Sequence, residues 1–338
     1  MKILGIETSC DETAAAIVEN GTKILSNVVA SSAEMHAKTG GVIPEQAARQ
    51  QVRSVLPVIE TAFKEAGLSE KDIDLVAVTV GPGLIGSLLV GIETTRTLSL
   101  LWKKPAVAVN HLVAHVYANW LSKSQPKFPA LALVVSGGHT DLVLMKSHGN
   151  LKWIGGTRDD AAGECFDKCA RLLGLSYPGG PAISKAALEY KKTNGMQLFP
   201  RPMINDDNFD WSFSGLKTAV LREVKSNPTS LKLRRAELAA QVQEAITDVL
   251  VEKTLRAVKK FEPRSLLLAG GVAANLRLRE KFQEEIARRK IKIDFRVPPP
   301  GLCTDNAAYI AAYAYFVHSP TGWQQLKANP ELTIVGQI

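Results

Sequence analysis

The chain has 338 residues, 46% of them hydrophobic and 22% charged, with a formal net charge of +8. That length suits two domains, and the apolar share excludes a disordered chain. Four cysteines without a CxxC spacing exclude a disulfide scaffold and point to a reducing, cytoplasmic setting, while the basic surplus suits either solubility or a polyanionic partner.

The opening MKILGIETSCDET reaches Glu7 too early for a signal peptide, and KILGIET reads as a buried strand. SCDET is a polar turn, and AAAIVEN and TKILSNVVA are two further strands. PEQAARQQVRSVLPVIETAFKEAG repeats Val52, Val55, Leu56, Ile59 and Phe63 at helical spacing and stops at Gly67. IDLVAVTV is a strand, followed by GPG and a helix to about Trp102. Glu93 and Arg96 interrupt the most apolar stretch, GLIGSLLVGIETTRTLSLLW, so it reads as a buried helix and no membrane segment is expected. PAVAVN is a strand and HLVAHVYANWL a helix.

SQPKFP then separates a second series. PALALVVS, TDLVLMK and LKWIGG are strands, with helices from about Asp160. RSLLLAGG is a strand, VAANLRLREKFQEEIARR a helix, KIDFRV a strand, and the last helix starts near Thr304. The beginnings LGIETSCDETAAAIV and LVVSGGHTDLVLM share strand, small polar turn and strand, as an internal duplication would. The expected lobes are 1–127 plus 304–338, and 128–303. This α/β plan resembles the actin-like ATPase (ASKHA) fold, in which two ribonuclease-H-like lobes enclose a nucleotide cleft.

His111 and His115 lie one helical turn apart at the carboxyl end of a strand, where open α/β sheets bind ligands. Both imidazoles can reach one ion, or the pair can make ordinary helix hydrogen bonds. No glutamate follows His111, so the zinc-protease reading lacks its base. Asp305 is the candidate third ligand. It can cap the last helix instead, unless Thr304 does so and leaves it free. Two histidines and a carboxylate suit iron or zinc.

Several turns invite a phosphate or nucleoside. Gly137 and Gly138 in SGGHT allow close backbone approach, although a plain hairpin has the same look. LLLAGGVAAN offers two glycines and Asn275. DDAAGECFDK places Asp159, Asp160, Glu164 and Asp167 at a helix start, where the dipole alone favours acids. YPGGP adds Gly179 and Gly180. Gly81, Gly83 and Gly86 match GxGxxG, but the next strand ends in Asn110 rather than an acid, against a dinucleotide fold. Gly83, Ser87 and Gly91 instead form a small-residue stripe, suited to internal packing or to a partner protein.

ETSCDET, GPGLIGSLLVG, HLVAH, LVVSGGHT, DDAAGECFDK, YPGGP, WSFSGLKT, AGGVAAN and CTDNAA occur in this order from Gly5 to Asp305. Together they resemble the TsaD/Kae-type family of tRNA N6-adenosine threonylcarbamoyltransferases, formerly called O-sialoglycoprotein endopeptidases. The resemblance implies transfer of a threonylcarbamoyl group from threonylcarbamoyl-AMP to N6 of the adenosine beside the anticodon (position 37) in tRNAs reading ANN codons, forming t6A. It implies one Fe2+ or Zn2+ held between the lobes by His111, His115 and Asp305. Substrate contacts map to Val134, Val135, Ser136, Gly137, Gly138, Asp167, Gly180 and Asn275. Implied partners are a smaller paralogous subunit (TsaB-like), which packs on the helix after GPG, and a P-loop ATPase (TsaE-like). The chain departs from the family at Val113, where many members carry an acid, and at Cys165 and Cys169, where small residues are common. Asp11 or Glu12 is expected to take the proton of the amine, and the basic residues between Lys232 and Arg296 are a candidate tRNA surface. The alternatives are an ATP-dependent small-molecule kinase of the same fold, which needs Mg2+-binding carboxylates, and a non-catalytic nucleotide-switch scaffold.

Overall fold

The computed structural model describes residues 1–32, 35–36, 41–190, 197–226 and 228–336. Two compact units emerge, Met1–Pro126 with Ser147–Leu151 and Pro298–Ile338, and Lys127–Lys146 with Lys152–Val297. The final return to the first unit falls at 297/298, where 303/304 is expected, and residues 147–151 count with the first unit.

In the first unit, β1 (Lys2–Glu7), β2 (Thr13–Glu19) and β3 (Lys23–Ala30) form an antiparallel meander. Parallel strands β4 (Leu75–Gly81) and β5 (Ala106–Asn110) extend the sheet, in the order β3-β2-β1-β4-β5. Nearly every residue of β1, β2, β4 and β5 is buried, because helices cover the sheet. These helices are α1 (Pro44–Ala66), α2 (Ile85–Trp102), α3 (His111–Tyr117) and, at the end of the chain, α9 (Ala308–Val317). The last packs so closely on β1 that a Cβ on Gly5 would lie 2.4 Å from the Ala307 carbonyl oxygen.

Two expectations change here. Helix α1 buries Ala47, Gln51, Val55, Val58, Ile59 and Ala62, whereas Val52 and Leu56 are 63% and 55% exposed. Small alanines admit the sheet on that face, and the Gln51 amide donates to the carbonyls of Thr8, Cys10 and Glu12 in the β1–β2 turn. A polar residue is therefore buried because a turn needs its hydrogens. The small-residue stripe of α2 faces the same turn. A Cβ on Gly91 would meet Thr8 Oγ1 at 2.5 Å, and Ser87 Oγ donates to the Cys10 carbonyl at 3.0 Å. The stripe is an internal packing face, and Ile85 and Leu89 are the residues that α2 exposes nearby.

The second unit repeats the topology. β6 (Ala130–Val135), β7 (Thr140–Ser147), β8 (Asn150–Gly156), β9 (Ser265–Ala269) and β10 (Asp294–Arg296) have the order β10-β9-β6-β7-β8. In each sheet the first strand pairs antiparallel with the second and parallel with the fourth. The duplication read from the two beginnings is thus present in the strand order. Helices α4 (Ala162–Leu172), α5 (Gly179–Leu188), α6 (Ser214–Ser226), α7 (Leu231–Phe261) and α8 (Leu276–Arg288) complete the unit. Buried Cys165 and Cys169 lie one turn apart on α4 with sulfurs 3.9 Å apart. Gly271–Ala274 form a 3-10 turn, so VAAN does not begin α8, whose N-cap is Asn275.

Much of the basic run between Lys232 and Arg296 is engaged in ion pairs. Arg234 meets Glu223 and Glu237, Arg277 and Lys281 meet Glu244, and Arg289 meets Glu252 and Glu285. Among the described residues no helix is long and apolar enough to cross a membrane.

Candidate metal centre and substrate-binding residues

The end of β5 positions the histidines. Asn110 is the N-cap of α3, its Oδ1 accepting from the amides of Leu112 (3.0 Å) and Val113 (3.3 Å). His111 is therefore the first helical residue, and His115 stands one turn on, both buried. Asp305 lies in the loop before α9. That helix begins at Ala308 rather than near Thr304, and Asn306 Oδ1 accepts from the Ala308 amide at 3.0 Å. Neither Thr304 nor Asp305 caps the helix, which leaves the Asp305 carboxylate for the histidines.

The three side chains converge. His111 Nε2 and His115 Nε2 are 3.1 Å apart, and Asp305 Oδ1 lies 3.6 Å from the first and 3.3 Å from the second. Ligand atoms roughly 2.1 Å from a tetrahedral ion are separated by roughly 3.4 Å, so this triangle fits one first-row metal ion. Two Nε2 atoms facing each other cannot both be lone pairs without a shared proton or cation, which is the chemistry an ion supplies. Among the described residues this is the one His/Cys/Asp/Glu group with metal-ligand spacing.

The electrostatics of the centre separate its members. Burial pushes the His111 imidazole down, but the charges of Glu7 and Asp305 outweigh it and raise the group to about 9. Burial and the charge of His111 hold His115 below the usual value. Burial raises the Asp305 carboxyl, yet both histidines and Tyr309 bring it well below the usual carboxylate range. Glu7 is likewise lowered, the His111 charge overcoming burial.

Glu7 is the residue that reading the sequence missed. It ends β1, is fully buried, and its Oε2 lies 3.0 Å from His111 Nδ1. Its signal was a carboxylate closing an otherwise apolar buried strand. The adjoining β1–β2 turn carries Asp11 and Glu12. Burial and the Asp305 charge raise Asp11, and burial raises Glu12 to about 7. Ser31 Oγ donates to Glu12 Oε1 at 2.7 Å, whereas Glu12 Oε2 is buried without a hydrogen-bond partner.

The residues expected to contact substrate all fall in the second unit. Val134 and Val135 are core residues of β6, so only their backbone can face a ligand. The Ser136 amide already donates to the His139 carbonyl at 2.9 Å. Gly137 and Gly138 are exposed and have nothing within 4 Å of an added Cβ. Gly163, at the start of α4, packs beneath them: its Cβ would lie 2.5 Å from the Ser136 carbonyl oxygen. Gly270 has φ 87° and a Cβ there would meet the Val135 carbonyl at 2.4 Å, which requires glycine twice over. Asp167 and Asn275 each bond to helix α5, the first at its start and the second in its middle. Asp167 Oδ1 accepts from the Gly179 amide at 2.7 Å, and Asn275 Nδ2 donates to Ser184 Oγ at 3.0 Å and to Gln243 Oε1 at 3.1 Å. Gly180 adjoins open space.

Two α/β units of one strand order define the two-lobed fold of the actin-like ATPases. Component A of the (R)-2-hydroxyglutaryl-CoA dehydratase of Acidaminococcus fermentans shares that fold at a TM-score of 0.53, with 13% identity over 93% of this chain and 98% of that one. Residues 23–312 match the family model described as tRNA N6-adenosine threonylcarbamoyltransferase. Relatives bearing that name are 48% identical in Thermomicrobium roseum, over 94% of this chain and 92% of the relative, and 51% identical in Bacillus subtilis, over 92% and 89%. The chain belongs to the tRNA N6-adenosine threonylcarbamoyltransferase family. It is a transferase by this kinship, and the kinase and scaffold alternatives are not favoured.

Proposed function

We propose that this chain transfers the threonylcarbamoyl group from threonylcarbamoyl-AMP to N6 of adenosine 37 in tRNAs reading ANN codons, forming t6A in the cytoplasm. The observation that carries the site assignment is the triangle of His111, His115 and Asp305, in a chain of this family. These residues would hold one Fe2+ or Zn2+, which when bound supplies a Lewis acid for developing negative charge.

The remaining chemistry is assigned to residues of the chain. The adenine amine is a weak nucleophile because its lone pair is delocalised, so orientation and proton removal matter most. The amides of Gly137 and Gly138 bind the phosphate, on a turn that the Ser136–His139 hydrogen bonds hold in shape. Asp167, Gly180 and Asn275 place the nucleoside through the start of α5. Glu12 takes the amine proton, which its raised ionisation near neutral pH and its unpartnered oxygen support better than Asp11. The P-loop ATPase remains a partner by family resemblance. The smaller paralogous subunit is supported by exposed Val52 and Leu56 on α1 and Ile85 and Leu89 on α2, helices that touch where Gly86 faces Ala48.

The test replaces His115 or Asp305 by alanine in the full chain. Bound metal is measured by elemental analysis, and t6A by mass spectrometry of tRNA nucleosides. The expected result is loss of metal and a fall in transfer on the order of 10³-fold, since a Lewis acid contributes several kcal/mol. Wild-type metal content and transfer in both variants would overturn the assignment.

A further inference from the structure

We propose that Glu7 is a positioning residue that fixes which nitrogen of His111 faces the metal centre. The inference rests on the metal reading of that centre and adds a role for a buried carboxylate outside the ligand triangle.

Glu7 is held from several directions. Its Oε1 accepts from the Ser9 amide at 2.6 Å, and its Oε2 accepts from Thr79 Oγ1 at 2.5 Å. Strand pairing puts Thr79 in place, because Ile6 pairs with Val78 and the next residues of both strands lie side by side. Glu7 and Thr79 are both fully buried, so the carboxylate has no solvent to turn towards. The same Oε2 lies 3.0 Å from His111 Nδ1. A carboxylate accepts and cannot donate, so it calls for a proton on Nδ1. The opposite nitrogen, Nε2, then presents its lone pair towards His115 Nε2 and Asp305 Oδ1. His115 supplies the internal contrast, since its Nδ1 is buried without a hydrogen-bond partner. One ligand of the pair is oriented by a carboxylate, the other by the helix and the rings around it.

The amide isostere discriminates this role from a structural one. In Glu7→Gln the oxygen can stay opposite the Ser9 amide, which turns the NH2 group towards His111 Nδ1. To pair with that NH2 the ring nitrogen accepts, its proton moves to Nε2 and Nε2 is no longer a ligand; Ser9 Oγ, 3.3 Å from Nδ1, is the weaker partner that remains to hold the proton there. The reverse orientation opposes the NH2 group to the Ser9 amide. The first orientation removes the ligand lone pair, and the second sets donor against donor at the Ser9 amide.

The experiment measures zinc affinity of the full chain by competition with a chromophoric chelator, together with 15N spectra of the histidine rings in the zinc-loaded wild type. The expected results are a 10- to 100-fold weaker affinity in Glu7→Gln, as for other partners of metal-bound histidines, and a hydrogen-bonded Nδ1 proton on His111 in the wild type. His115→Ala is the control. If it leaves zinc affinity unchanged, the metal reading itself fails and the proposal with it. If it weakens binding while Glu7→Gln does not, the metal reading stands and the role of Glu7 is overturned. Should Glu7→Gln not fold, the wild-type spectrum decides: a His111 ring bearing its proton on Nε2 overturns the proposal.

Discussion

The polar residues of the two units are used differently. Around His111 in the first unit they are largely buried and bonded to one another: Glu7 has three donors, His111 has partners on both nitrogens, and Asp305 touches both histidines. At the Ser136–Gly138 turn of the second unit, the side chains are absent or turned inward, and the glycines border open space. The difference teaches a division of labour. A centre that must hold its atoms against displacement is built from packed, mutually charged groups, whereas a turn that must admit a ligand backbone-first is built by leaving Cβ atoms out.

The sharpest way to break this comparison is Glu12→Gln, which removes the proposed base from the first unit. A base must be ionised to act, so wild-type transfer should rise with pH up to about 7 and then level. The variant should lose roughly 10²- to 10⁴-fold in kcat with a flat profile, measured by pre-formed threonylcarbamoyl-AMP assays across pH. An unchanged pH dependence would return the base to another group.

A paired substitution sharpens the second half. Gly163→Ala should cost roughly 1–3 kcal/mol, because its Cβ collides with the Ser136 carbonyl. The Cβ of Gly137→Ala meets nothing, and this variant should change stability by no more than about 0.5 kcal/mol. Its methyl group should nevertheless hold the phosphate off the retained amide and raise KM for threonylcarbamoyl-AMP by about tenfold, the value of one weakened charge-assisted hydrogen bond. Thermal unfolding and steady-state kinetics separate the two, and a fall in kcat alone would erase the proposed division between binding and chemistry.

The smallest effect is expected at Glu244, in the ion-pair network of α7 and α8. Burial raises its carboxyl, but Arg277 and Lys281 lower it to about 2. The folded value lies below the unfolded one, so its stabilisation is present above about pH 4.5 and disappears as pH falls towards 2. The network is partly exposed, and Glu244→Gln should cost about 1 kcal/mol or less at pH 7. Denaturant melts at pH 7 and pH 2.5 should show that difference shrinking, with transfer by the variant near wild type.

Much of the architecture was legible because its signals are local. Apolar runs bounded by Gly and Pro marked the strands, and the likeness of TSCDET and SGGHT foretold two sheets of one topology. His111 and His115 were legible as a pair because one helical turn separates them. Helix α1 was less legible: its sequence offers two apolar faces, and burial fell on the alanine-lined face that the sheet could approach. The small stripe of α2 was ambiguous for the same reason, since a close-packing surface has one appearance whether it meets a turn of its own chain or another protein.

By itself the amino-acid sequence determined the order of elements, the duplication and the family, since periodicity and motif spacing are properties of neighbouring residues. Tertiary structure decided that Asp305 reaches the histidines while Asn306 serves the helix, that Glu7 stands behind His111, and that Arg277 and Lys281 of the basic run answer to an acid on an adjacent helix. Those outcomes depend on distances through space between residues far apart along the chain. A buried charge takes whichever partner the packing brings within about 3 Å, because nothing else offsets its lost hydration.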